Sequence, residues 1–142
     1  MLHPTDPLSP LDSRGNVYYA GLGFNRTTPG STVAVNKGTF DQHGHLTWSA
    51  PTFINQTTSP CTLNDKEWIA VDSHAASPFR DRVYVTWTRF VFNAHTGAYV
   101  QSPIAFAYSR DGGATWSKPV AVSQLAEILP TIYSLACNII NL

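Results

Sequence analysis

The stretch Ser109-Arg110-Asp111-Gly112-Gly113-Ala114-Thr115-Trp116 decides how this chain is read. Its spacing is that of a hairpin turn that supplies its own hydrogen bonds. The Asp111 carboxylate and the Ser109 hydroxyl are placed to take up turn amides that no ladder partner reaches. Gly113 accepts a positive φ, and Trp116 can fold its ring back over the hairpin. Ile104-Ala-Phe-Ala-Tyr-Ser109 precedes the turn and Pro119-Val-Ala-Val-Ser123 follows it. Both alternate apolar and polar residues, the period of half-buried strands.

The same alternation continues upstream. Asn16–Gly23 is one run and Ser31–Lys37, closed by Gly38, is another. Arg82-Val-Tyr-Val-Thr-Trp-Thr-Arg-Phe90 is the plainest, with Val83, Val85 and Trp87 on one face and Tyr84, Thr86 and Thr88 on the other. Turn formers separate the runs: Thr28-Pro-Gly30, Asp41-Gln-His-Gly44, Ala76-Ser-Pro78. No segment before residue 124 keeps a helical period over ten residues. Ten Pro, nine Gly and 17 aromatic residues (four Trp, six Tyr, seven Phe) suit short strands and tight turns better than a helical bundle. The prediction is an all-β fold.

The chain also repeats itself. Thr47-Trp48-Ser49-Ala50-Pro51 returns 68 positions later as Thr115-Trp116-Ser117-Lys118-Pro119. Arg14-Gly-Asn-Val17-Tyr18-Tyr19 returns 66 positions later as Arg80-Asp-Arg-Val83-Tyr84-Val85. Val33-Ala34-Val35 corresponds to Ile104-Ala105-Phe106, and Leu8–Asp12 to Ile69–Asp72, with a longer loop after the second Asp. Each copy offers four strand candidates, about the content of one propeller blade.

Residues 109–116 fit the pattern S-x-D-x-G-x-x-W of the Asp box, or bacterial neuraminidase repeat. Residues 6–123 therefore resemble two consecutive four-stranded antiparallel blades of a sialidase-like β-propeller. The resemblance implies an incomplete ring of a six-bladed parent: one blade over 6–60 with a degenerate box at 41–48, a second over 61–123 with its box at 109–116. Asn64–Asp72 followed by Arg82–Arg89 looks like the bacterial exo-sialidase members. That implies a secreted glycoside hydrolase acting on glycans or glycoproteins; the alternative is a non-catalytic extracellular propeller that binds glycan or protein. In the family the box is structural, so Ser109, Asp111, Gly113 and Trp116 are expected to build the fold. In the first copy, aligning Trp48 with Trp116 sets Asp41, His43 and His45 opposite Ser109, Asp111 and Gly113. Alternatively, Asp41 is the box aspartate and a two-residue insertion follows it. His43, His45 and Asp41 also invite a zinc reading, but a decayed turn is the expectation, with no metal and no cofactor.

Sialidases, as the resemblance implies, clamp the substrate carboxylate with three arginines and use a Tyr–Glu nucleophile pair with an Asp acid/base. Two blades do not supply that set. The family's Arg-Ile-Pro motif is absent here, and no Asp lies between Phe24 and Ser31. This chain alone is therefore expected to be inactive. Four residues are candidates to face the ligand funnel: Asp65 and Glu67, ahead of the strand ending at Asp72, and the rim cations Arg26 and Arg89. Trp68 and Trp87 sit inside apolar runs and are expected in the core. G-x-S-x-G, Walker, dinucleotide and H-E-x-x-H motifs are all absent.

Nine basic and nine acidic residues cancel, which argues against nucleic acid or an anionic membrane as partner. Cys61 and Cys137 lack CxxC spacing, and whether they pair stays open. The first residues carry no signal-peptide pattern. Residues 124–142 differ from the body: from Ile128 to Leu142 there is no charge, and ten of 15 residues are apolar. That tail is shorter than a membrane span. It is expected either to pack on the core or to be a non-native end left by frameshift or truncation. Two blades would leave open faces to be covered by missing blades or by self-association.

Overall fold

The computed structural model describes residues 10–25 and 27–123. They form two antiparallel sheets and, among the described residues, no helix. The first sheet holds β1 (Val17–Phe24), β2 (Ser31–Phe40), β3 (Leu46–Trp48) and β4 (Thr52–Thr57). The second holds β5 (Thr62–Val71), β6 (Val83–Phe92), β7 (Tyr99–Gln101), β8 (Ile104–Ser109) and β9 (Val120–Ala121). The expected all-β fold is present.

Three details differ from the sequence expectation. Gly38 does not close its strand, because β2 runs on to Phe40. A Cβ at Gly38 would lie 2.5 Å from a Val17 methyl and 2.8 Å from a Leu46 methyl, so cross-strand side chains close over a bare backbone there. The second sheet has five strands, not four. Pro103, which has no amide to donate, separates β7 from β8, and the two run one after the other along the same side of β6. Trp68, expected in the core, is 58% exposed. Trp68 lies opposite Thr86, on the face of the second sheet turned away from the first.

The core lies between the sheets. Tyr18, Ala20, Val33 and Val35 come from the first, and Val83, Val85, Trp87, Ala105 and Ala107 from the second. Trp87, also expected in the core, is 1% exposed. Polar groups tie the sheets together at both ends. At one, the Ser13 amide and hydroxyl each donate to the Asp81 carboxylate at 2.7 Å. At the other, the Asn64 amide donates to Ser31 Oγ at 2.9 Å, and Asn64 Nδ2 donates to Asn55 Oδ1 at 2.9 Å.

Candidate functional site

The hairpin at 109–116 is closed from within. Ser109 Oγ accepts the Gly113 amide at 2.8 Å and donates to Asp111 Oδ1 at 2.8 Å. Asp111 Oδ1 also accepts the Thr115 amide at 2.8 Å, while Thr115 Oγ1 donates to Oδ2. These donors, with Thr115 first, hold the Asp111 carboxyl down at a pKa of about 2. Gly113 has φ 86°, and Trp116 Nε1 donates to its carbonyl at 3.1 Å. The Trp116 ring packs against the core. The Ser109, Asp111 and Thr115 side chains are thereby all engaged in holding the turn.

The first copy uses Asp41 in the same way. Asp41 Oδ1 accepts the His45 amide at 2.9 Å, and His45 Nδ1 sits 3.1 Å from Oδ2. His45 therefore stands to Asp41 as Thr115 stands to Asp111. The register beyond the turn supports this: Ser49 exchanges N–H and hydroxyl bonds with Lys37 as Ser117 does with Tyr108. The first hairpin is the longer one: Ser49 lies 12 positions after Lys37 where Ser117 lies 9 after Tyr108, with one extra residue ahead of Asp41 and two after it. Amide hydrogen bonds, the His45 amide first, lower the Asp41 carboxyl. Among the described residues, no cluster of three or more His, Cys, Asp or Glu is arranged to hold a metal ion.

Asp12 closes a third such turn, accepting the Arg14 and Asn16 amides, Asn16 Nδ2 and the Tyr18 hydroxyl. Burial raises its carboxyl, but these donors outweigh it and the net shift is downward. The Tyr18 hydroxyl is pushed up, first by burial and then by its bond to Asp12. The turns at Asp12, Asp41, Asp72 and Asp111 share one end of the sheets, the end where Ser13 meets Asp81. Only the box residues around Asp111 were legible in the sequence by motif. The signal that could have found Asp12 is the pattern D-x-x-G-x shared by residues 12–16 and 41–45.

The funnel candidates lie at the opposite end, where Asn64 meets Ser31. Asp65 and Glu67 flank an irregularity in the ladder: β5 spends three steps between Asp65 and Trp68 where β6 spends two, from Thr88 to Thr86. Lys66 takes up the extra residue at φ 56°, with its ammonium 3.6 Å from Asp65 Oδ2. Glu67 is half-buried, and burial first, then the charge of Asp65, raises its carboxyl. Arg89 pairs across the ladder with Asn64. No ion pair joins it to Asp65 or Glu67 among the described residues. Its Nε is buried without a hydrogen-bond partner, and the residue lines a recess of about 30 Å³ with Pro103, Ala105 and Val120. That is room for a water molecule and not for a sugar ring. Arg26 lies outside the described residues. A larger open concavity of about 650 Å³ at this end is lined by Phe24, Gly30, Thr32 and Gln56, among others, and not by Asp65, Glu67 or Arg89.

The sequence did not reveal the buried group at this end. Asn64 and Ser31 are almost fully buried, and Trp87 Nε1 donates to Asn64 Oδ1 at 2.9 Å. An Asn at the head of a polar run gives no local sign that it will be enclosed. No protein-family model matches the chain, and neither a curated protein nor a solved structure does so.

Proposed function

We propose that this chain is two neighbouring Asp-box blades of a sialidase-like propeller, part of a secreted glycoside hydrolase acting on glycans, and that by itself it does not turn over substrate. The observation that carries the reading is the recurrence of one turn chemistry in both repeats. Asp111 with Thr115, and Asp41 with His45, close equivalent hairpins whose flanking Ser117 and Ser49 make equivalent strand contacts. A turn at Asp41 that keeps the carboxylate's bond to the amide four residues on supports a shared blade architecture, although the Ser109 hydroxyl bonds of the full box have no counterpart there among the described residues. It also supports a structural role for Ser109, Asp111, Gly113 and Trp116.

On this reading Asp65, Glu67 and Arg89 are polar groups of the ligand-facing end. Glu67 and Asp65 place two carboxyl groups side by side there, where they can hydrogen-bond sugar hydroxyls. Arg89 has its Nε buried and lines a narrow recess. Arg89 is the only described arginine among the funnel candidates, one guanidinium where the family uses three, and on this reading the chain is inactive on its own. Incubation of the purified chain with a fluorogenic α-sialoside tests this: release indistinguishable from buffer is expected, and turnover well above buffer overturns it.

A further inference from the structure

Equivalent positions in the two sheets face opposite ways. Backbone bonds fix the equivalence: the Asp12 amide donates to the Asn16 carbonyl as the Asp72 amide donates to the Arg82 carbonyl, each at 3.0 Å. Tyr18 pairs with Lys37 as Tyr84 pairs with Tyr108. Yet Tyr18 and Val35 are buried between the sheets, while their counterparts Tyr84 and Phe106 stack at 6.0 Å on the outer face of the second sheet. Conversely, Val83 and Val85 are buried, while their counterparts Val17 and Tyr19 lie on the outer face of the first sheet, where Tyr19 meets the edge of Trp48. The sheets are thus packed head to tail. Each repeat carries both halves of one interface, and among the described residues each has used only one half.

We propose that a second copy of this chain covers the outer face of the second sheet with the outer face of its own first sheet, repeating the packing already present within the chain. Continuity with the existing interface names the occupant. The open face around Tyr84, Phe106 and Trp68 stands where Tyr18 and Val35 stand in the first repeat. The open face around Val17 and Tyr19 stands where Val83 and Val85 stand in the second. Both present exposed aromatic rings, with Tyr19 55% and Trp68 58% exposed, and the second face also carries the Arg82 and Arg110 guanidiniums over Tyr108. The zero net charge sets up no long-range repulsion between copies. Such a contact is heterologous, so it grows by addition until a ring closes. The inference rests on the repeat geometry and not on sugar chemistry, so the sialoside assay and the test below fail independently.

The test is sedimentation velocity on the full chain over a concentration series, with Tyr19→Glu and Trp68→Glu as single variants and as a mixture. Both residues are exposed, and far-UV circular dichroism checks that each variant keeps its strands. The wild-type mass is expected to rise with concentration through multiples of 15.6 kDa. Each variant alone is expected to stay a monomer, because each lacks one half of the contact. Their mixture is expected to form a complex of two chains that grows no further. A wild-type chain that stays monomeric throughout overturns the proposal. So does loss of association in one variant only, which marks a two-fold contact, and so does a mixture that does not complement.

Discussion

The indole of Trp87 donates a 2.9 Å hydrogen bond to the side-chain carbonyl of Asn64, and both groups are all but sealed from solvent. Asn64 spends its two amide hydrogens on Ser31 and Asn55 of the other sheet. One side chain thereby joins the core tryptophan of the second sheet to β2 and β4 of the first. Replacing Asn64 by Ala leaves the indole N–H buried and unpaired, an expected cost of about 2–4 kcal/mol. Trp87→Phe removes the donor and strands the Asn64 carbonyl, at about 1–3 kcal/mol. Urea unfolding of the double variant should show less than the sum of the two. Full additivity would mean that the bond carries no coupling.

Asp111 gives a pH signature. Its carboxyl titrates at about 2 in the folded chain against an ordinary value of 3.8. A lowered carboxyl stabilises the fold above its unfolded value, and that contribution is lost as pH falls through the folded one. The midpoint of urea unfolding is expected to drop as pH is lowered from about 4 towards 2. Asp111→Asn should flatten that part of the profile. An unchanged slope in the variant would remove Asp111 from the account.

Gly113 works through conformation and contact together. At φ 86° a side chain is strained, and a Cβ would meet the Tyr18 ring at 3.7 Å, which is ordinary contact. The cost of Gly113→Ala should therefore be the backbone strain, about 1 kcal/mol. Gly38 is the opposite case: its backbone needs no unusual φ, but a Cβ would press on Val17 and Leu46. Gly38→Ala is expected to cost more, about 1–3 kcal/mol, through overpacking. Thermal melts of the two variants check the order.

Glu67 should be removable. Burial and the neighbouring Asp65 raise its carboxyl above the ordinary 4.5, so ionising it costs more in the fold than in the unfolded chain. Stability linked to it is present below the unfolded value and is lost as pH rises through the folded one. Glu67→Gln is accordingly expected to raise the unfolding midpoint at pH 7 slightly and to make no difference at pH 3. A lower midpoint at pH 7 would show that the charge of Glu67 is itself held by a partner.

Much of the fold was legible in the sequence because alternation is a strong signal where one face is buried. The run Arg82–Phe90 fixed β6 and its inward Val83, Val85 and Trp87, and Ile104–Ser109 fixed β8 residue by residue. Thr52–Thr57, which forms β4, carries no such signal, because it mixes apolar and polar residues without clean alternation. Trp68 misled because the sequence run around it is apolar, and only the ladder register shows that it faces outward. The site was less legible than the fold. Local turn chemistry at Asp111 follows from spacing, but the enclosure of Asn64 by Ser31, Asn55 and Trp87 depends on residues 9 to 33 positions away. Sequence spacing carries no record of such contacts.

The head-to-tail packing of the two repeats is the central claim, and one contact reports on it directly. The ring of Tyr18, from the first sheet, lies against Gly113 in the hairpin of the second. Nuclear Overhauser spectroscopy on the labelled chain should show cross-peaks between the Tyr18 ring protons and the Gly113 α-protons, with those α-protons shifted by the ring current. If the Gly113 hairpin signals are intact while its Overhauser contacts run to Tyr19 or to neither ring, the sheets pack by other faces and the account is wrong.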